Sequence, residues 1–448
     1  MSVLRDLQSS QPSSSEIAKK TRAKYRYWRT RIFYSIYIGY ALFYFTRKSF
    51  AAIKPVLIND LGFDIASIAG LESLLWIAYG ISKFLSGIMS DRSSLRYFMG
   101  GGLILTGVFN LLFGCSSSLL FFSIFLVLNG LFQGWGAPPC AKLLTYWYAQ
   151  KERGRWWGIW NTSHNLGGAL VPLICTLAMQ AFGWRSAMFF PGILAIIVGI
   201  FLINRLRDTP QSLGLPPVEV YCNDTFERRV PVEQTNDKKL KAKTLLMEYI
   251  LKNKVIWILS ISFFFVYIVR TALNDWIHIY LIQEKQYTKM LAAFSISCFE
   301  VGGFFGSLAA GYLSDTLFKG RRIPINVVFI TGLIFVLLMI WLVPLNHPLF
   351  TSSTMFLFGF LIFGPQMLIG MAAAELVDKK AAGTATGFAG FFAYLGAACA
   401  GFPVGIIQKA YGWGGFFFLI SACSLIAVTL LVPLWSKGKG VQPSLEPT

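Results

Sequence analysis

Arg47 and Lys48 stand side by side in IFYSIYIGYALFYFTRKSFAAIKPVL, an apolar stretch from Ile32 to Leu57 long enough to cross a bilayer. A charged side chain at membrane centre costs about 2.5 to 3.5 kcal/mol on insertion scales, so two of them need a polar pathway or a partner. Tyr44 and Tyr40 precede Arg47 at helical spacings that put their hydroxyls on the face of the guanidinium. Cations and hydroxyl donors converging on one face suit an anion with several acceptor oxygens. The pattern recurs in FVYIVR, where Tyr267 precedes Arg270 by one helical turn. One Tyr-x-x-Arg in each half of the chain predicts a site shared by two equivalent halves.

The elements that must position these residues are membrane spans. A chain of 448 residues that is 55% hydrophobic and 16% aromatic is expected to be an all-α membrane protein. Its apolar runs divide it into a bundle over 32–204 and a second over 255–435. Each holds six transmembrane helices, twelve in all. Residues 1–31 read as a cytoplasmic N-terminal segment, 205–254 as a cytoplasmic central loop and 436–448 as a cytoplasmic tail. Basic residues cluster in alternate loops: Arg92 and Arg96, then Lys151, Arg153 and Arg155, then Lys319, Arg321 and Arg322, then Lys379 and Lys380. This asymmetry places both termini in the cytoplasm and explains the +19 charge without nucleic acid. No cleavable signal peptide is expected. Of the seven cysteines all but Cys222 fall in apolar runs and none forms Cys-x-x-Cys, so no metal is implied. Neither a phosphate-binding nucleotide loop nor a nucleophile arrangement is present; no enzyme activity and no cofactor are expected.

The duplication extends beyond the arginines. Gly87-Ile-Met-Ser-Asp91 recurs as Gly311-Tyr-Leu-Ser-Asp315, and Phe182-Gly183-Trp184 as Tyr411-Gly412-Trp413, at a nearly constant offset. Two parallel six-helix repeats related by an axis along the membrane normal follow, with ligand between them near the midplane. Gly130 and Gly134, Gly302 and Gly306, and Gly383 and Gly387 read as close helix approaches, and Pro138, Pro139 and Pro365 as bends.

The loop pattern Gly87, Asp91, Arg92, Arg96, with Asp315 in the repeat, resembles the signature of the major facilitator superfamily, in which an acid and cations pin neighbouring helices. YFTRKSF, AYGISKF, FQGWGAPPC, KERG, WNTSHNLGG, RDTPQSLGLPP and FGPQMLIG together resemble the organophosphate:phosphate antiporters over residues 25–435. GYALFYFTRKSF, SDRSSLRYFMG and FGPQMLIGMAAAE are most similar to the hexose-phosphate sensor and transporter subgroup.

The resemblance implies a major facilitator fold in a bacterial inner membrane, with Arg47 and Arg270 as the phosphate-chelating pair. It places His164, between Asn161 and Asn165, at the substrate, whereas an intramembrane histidine by itself also fits simple packing. Lys83 either faces the cavity or snorkels toward the Asp91 loop, and Lys48 either touches ligand or pairs with an acid on another span. Tyr40, Tyr44, Tyr267 and Tyr394 offer hydroxyls or pack. Asp275 and Glu300 balance the cations or shape a sugar pocket. The expected activity is uptake of a sugar phosphate, glucose 6-phosphate first, against inorganic phosphate. The alternatives are a sensor of external hexose phosphate that signals to a membrane histidine kinase, and a glycerol-3-phosphate:phosphate antiporter. The acid and lysine that hexose-phosphate transporters carry on span eleven are absent from GTATGFAGFF at 383–392.

Overall fold

The computed structural model describes residues 14–59, 62–63, 65–222, 242–342 and 347–436. The remainder of the expected N-terminal segment, central loop and tail lies outside these residues. The long helices of the first half are α1 (Ser14–Asn59), α2 (Ile65–Arg92), α3 (Leu95–Cys115), α4 (Leu119–Gln133) with α5 (Ala137–Trp147) as one interrupted span, α6 (Gln150–Phe182) and α7 (Ser186–Arg205). Those of the second are α8 (Lys254–Gln283), α9 (Lys289–Thr316), α10 (Arg322–Leu342), α11 (Pro348–Glu375), α12 (Ala382–Cys399) and α13 (Phe402–Leu431). A kink at Gly412 divides α13 between the eleventh and twelfth spans.

The two halves pack alike. In the first, α1 meets α6 and α7, α2 meets α4, and α3 meets α4 and α7. In the second, α8 meets α12 and α13, α9 meets α11, and α10 meets α11 and α13. The halves touch through α2 against α12 and α6 against α9, again an equivalent pair. The hinge repeat is repeated in the backbone: Gly183 and Gly412 have φ of 79° and 65°, a region where a Cβ is strained.

Eight spans among the described residues are long and apolar enough to be recognised by length and composition. The others, α1, α2, α6 and α12, carry Arg47, Lys83, His164 and Tyr394. Each of these four helices brings a polar or charged side chain to the site, while α2 still presents Leu74, Ile77, Ile81, Leu85 and Met89 as an exposed apolar stripe.

One element reaches further than its apolar run, and one local reading is corrected. α1 runs unbroken for 46 residues, about 70 Å, so its first turns project well beyond a hydrocarbon core of about 30 Å. Its end is held by Tyr25, whose ring stacks on Tyr221 at 3.9 Å and whose hydroxyl donates to Pro216 O at 2.5 Å. Pro138 and Pro139 do not bend a continuous helix: α4 ends at Gln133, and the prolines occupy the first turn of α5, where no intrahelical N–H is needed.

On the side of the basic loops the halves are latched twice. Asp91, ending α2, accepts from the N–H groups of Gly383 (3.1 Å) and Thr384 (2.6 Å) and from the Thr384 hydroxyl (2.7 Å), at the start of α12. Asp315, ending α9, accepts from Gly154 N (3.0 Å) and Arg155 N (2.6 Å) near the start of α6. At Asp91 the carboxylate meets free N–H groups and the helix dipole of α12 together, whereas Asp315 meets N–H groups one turn into α6. The cation on Asp91 is Lys142 of α5, at 3.3 Å; Arg92 is exposed, and Arg96 offers its backbone N–H to Asp208, so neither pins Asp91. In the second latch Arg322 bonds Asp315, Ser314 and both oxygens of Glu375, and Glu375 also pairs with Arg153 at 3.1 Å across the halves.

Candidate functional site

Thr46 and Ser49 set the rotation of α1. Gln133 donates to Thr46 Oγ1 (2.8 Å) and to Asn129 (3.1 Å), Asn129 to Asn110 (3.3 Å), and Asn110 to Ser49 Oγ (3.1 Å). This buried amide ladder ties one face of α1 to α3 and α4, so Arg47 points away from the interior of its own half.

Arg47 lies in an aromatic box. Its Cζ is 3.8 Å from the ring centroid of Tyr44, 5.0 Å from Tyr79 and 5.9 Å from Trp76. Arg270 lies 5.1 Å from Phe363 and 5.8 Å from Tyr267. Between them stands His164, its ring parallel to Phe363 at 6.0 Å and 5.4 Å from Tyr44. The two arginines from opposite halves are thus joined through a short relay of ring contacts: Tyr44, His164, Phe363. Lys83 Nζ lies 4.8 Å from Tyr394, and the end of its stem packs against Gly390. Tyr394 also contacts Tyr79 at 4.6 Å and Tyr267 at 5.7 Å, and Tyr40 contacts Tyr44 at 5.7 Å.

None of Arg47, Lys48, Lys83 and Arg270 has an ion pair among the described residues. The Nε atoms of Arg47 and Arg270, His164 Nε2 and both amide atoms of Asn165 are buried without a hydrogen-bond partner. Stacking on a ring face lowers the cost of the charge and leaves the in-plane N–H groups free to donate, one of those of Arg47 to Tyr79. An array of cationic and hydroxyl donors with no carboxylate paired to it among the described residues is chemically suited to an anion.

Not every expected residue joins this cluster. Asn161 gives its amide to Ser307 Oγ of the other half at 3.0 Å and serves the contact between halves. Lys48 is exposed and stacks on none of these rings, yet it lies in electrostatic range of Arg47, Arg270 and His164, and of Glu300 and Asp275 without an ion pair to either. Trp76, Tyr79, Phe363 and Asn165 are the cluster members that the sequence reading left without a role. Trp76 and Tyr79 do precede Lys83 at helical spacing, much as Tyr40 and Tyr44 precede Arg47.

Twelve spans in two parallel halves around a buried site define a membrane transporter, and the chain belongs to the Major Facilitator Superfamily, whose family model matches residues 36–401. It is 52% identical to a probable hexose phosphate transport protein of Chlamydia muridarum, over 95% of this chain and 94% of that one. It is 49% identical to the membrane sensor protein UhpC of Escherichia coli, over 92% and 93% of the two chains. Among solved structures the fucose:proton symporter FucP of E. coli superposes with a TM-score of 0.69 at 12% identity, covering 92% of this chain and 98% of that one, which shows the shared fold.

Proposed function

We propose that the protein takes up a hexose phosphate, glucose 6-phosphate first, in exchange for inorganic phosphate across a bacterial inner membrane, by alternating access. The observation that carries this reading is the pair Arg47 and Arg270: equivalent positions of the two halves, both without a carboxylate, both with an unsatisfied buried Nε. A phosphate dianion bound by both guanidinium groups, with His164 and the tyrosines as further donors, supplies the counter-charge. Without it, bringing the halves together desolvates like charges, so the empty carrier reorients slowly and exchange results. The similarity to a hexose phosphate transport protein supports the sugar.

The basic side is assigned to the cytoplasm. The two latches close it, so this form is read as one that takes ligand from the opposite side. The likeness to UhpC supports a second reading, a receptor for external hexose phosphate that signals to a membrane histidine kinase. A receptor needs only occupancy to shift an equilibrium, whereas an antiporter crosses between two open states with ligand bound. Purified protein in liposomes decides between them. Phosphate-loaded vesicles should accumulate glucose 6-phosphate, vesicles without phosphate almost none, and free glucose should not compete. Measurable binding with no uptake in either case selects the receptor. Preferential exchange of glycerol 3-phosphate would change the sugar and leave the site intact.

A further inference from the structure

Four arginines gather away from the central cluster, at the basic-side ends of helices of the first half: Arg31 on α1, Arg96 on α3, and Arg205 and Arg207 at the end of α7. Arg31 and Arg207 both lie over the Trp28 ring, at 4.7 and 5.4 Å from its centroid, and both donate to Asn204 O, at 3.4 and 3.1 Å. Arg205 stacks on Phe201 at 5.5 Å and Arg96 on Tyr97 at 4.4 Å. Among the described residues none of the four forms an ion pair, and Asp208 takes the backbone N–H of Arg96 and no guanidinium. Arg31 Nε and Arg96 Nε are buried without a partner. Burial, and then the charges of Arg96 and Arg31, hold the Arg207 guanidinium below its ordinary value, which reports the crowding.

Capping the C-terminus of α7 accounts for Arg207, whose Nη1 also donates to Leu206 O at 2.6 Å. It does not account for Arg96, which sits in the first turn of α3, where the helix dipole disfavours a cation. Tyr27 and Tyr97 are 54% and 57% exposed beside the cluster, as aromatic side chains are at a membrane–water interface. We propose that these arginines form a binding site for the phosphodiester headgroup of an acidic phospholipid, whose acyl chains run beside α3 and α7. Free phosphate shares the headgroup chemistry; the aromatic rim at the helix ends favours the lipid.

The full-length protein is titrated with phosphatidylglycerol in a zwitterionic detergent, and lipid retention is read by native mass spectrometry. The wild type should hold one phosphatidylglycerol in preference to phosphatidylcholine. Arg31→Gln with Arg207→Gln should weaken retention about thirty-fold, each cation at an acidic surface being worth about five-fold. Arg96→Gln, which removes one stacking contact, with the exposed Tyr97 ring, and no side-chain hydrogen bond among the described residues, should weaken it about five-fold and serves as the variant least prone to misfold. Lys19→Gln with Lys20→Gln, about three turns further out along α1 and beyond a Debye length, should change it less than about two-fold. Unchanged retention in both arginine variants would overturn the proposal, as would an equal loss in the lysine variant. Displacement of the lipid by millimolar inorganic phosphate would mark a soluble-anion site and overturn it too.

Discussion

The molecule buries charge in two places and treats it in opposite ways. On the basic side Arg153, Arg322, Asp315 and Glu375 are nearly inaccessible, and each carries an ionic partner, with Gly154 N, Arg155 N and the carbonyls of Gln150, Tyr148 and Thr145 taking up further bonds. At the centre Arg47, Lys83, Arg270 and His164 pack against rings and have no carboxylate partner among the described residues. A satisfied buried charge holds two elements together; one left unsatisfied by the protein waits for a ligand. The same pair of halves therefore contains its own closure and, in the proposed reading, a centre whose counter-charge is the ligand.

Breaking the closed region should have the largest effect on stability. Glu375→Gln leaves Arg153 and Arg322 short of a counter-charge in a dry environment and should cost about 3 kcal/mol or more, read as a lower midpoint of thermal unfolding in detergent. Arg270→Lys should leave that midpoint nearly unchanged, because no protein partner is lost. It should lower phosphate exchange roughly 10- to 100-fold, since a lysine keeps the charge and loses the planar fork. Equal thermal shifts for the two variants would erase the distinction between the regions.

The comparison sharpens at two neighbours on α6. The Asn161 amide is satisfied by Ser307, and His164 Nε2 has no partner among the described residues. Asn161→Ala should cost about 1 kcal/mol of stability with phosphate affinity retained, whereas His164→Ala should weaken phosphate binding more than it lowers stability. Calorimetric titration and thermal unfolding of both variants give the four values required. The smallest effect is topological and leaves function untouched. Cys115, exposed at the end of α3, should react with an impermeant thiol reagent in intact cells, and Cys222 only in inverted vesicles. Labelling of Cys222 from outside would reverse the assignment of the basic side.

The duplication and the two arginines were legible in the sequence because they depend on local spacing: Tyr-x-x-Arg in each half, Gly-x-x-x-Asp at the ends of α2 and α9, and a hinge glycine that proves to have positive φ in both halves. The closure was not. Arg153 and Arg322 had been counted with the basic loops that set topology, and Glu375 had no role, since their partners are far apart in sequence and no periodicity joins them. Lys142 displaced Arg92 and Arg96 as the cation on Asp91 for the same reason. Trp76, Tyr79 and Phe363 were hidden differently. In a chain that is 16% aromatic, a ring that cages a guanidinium looks like any other until the helices are packed.

The sharpest test asks whether Arg47 and Arg270 hold the same phosphate. Binding of inorganic phosphate is measured by calorimetry for the wild type, Arg47→Lys, Arg270→Lys and the double variant, which closes a double-mutant cycle. If one dianion is shared, each single change already removes most of the affinity, and the double variant binds little worse than either. If the losses simply add, the two arginines act on separate ligands or only through the net field, and the shared site proposed here is wrong.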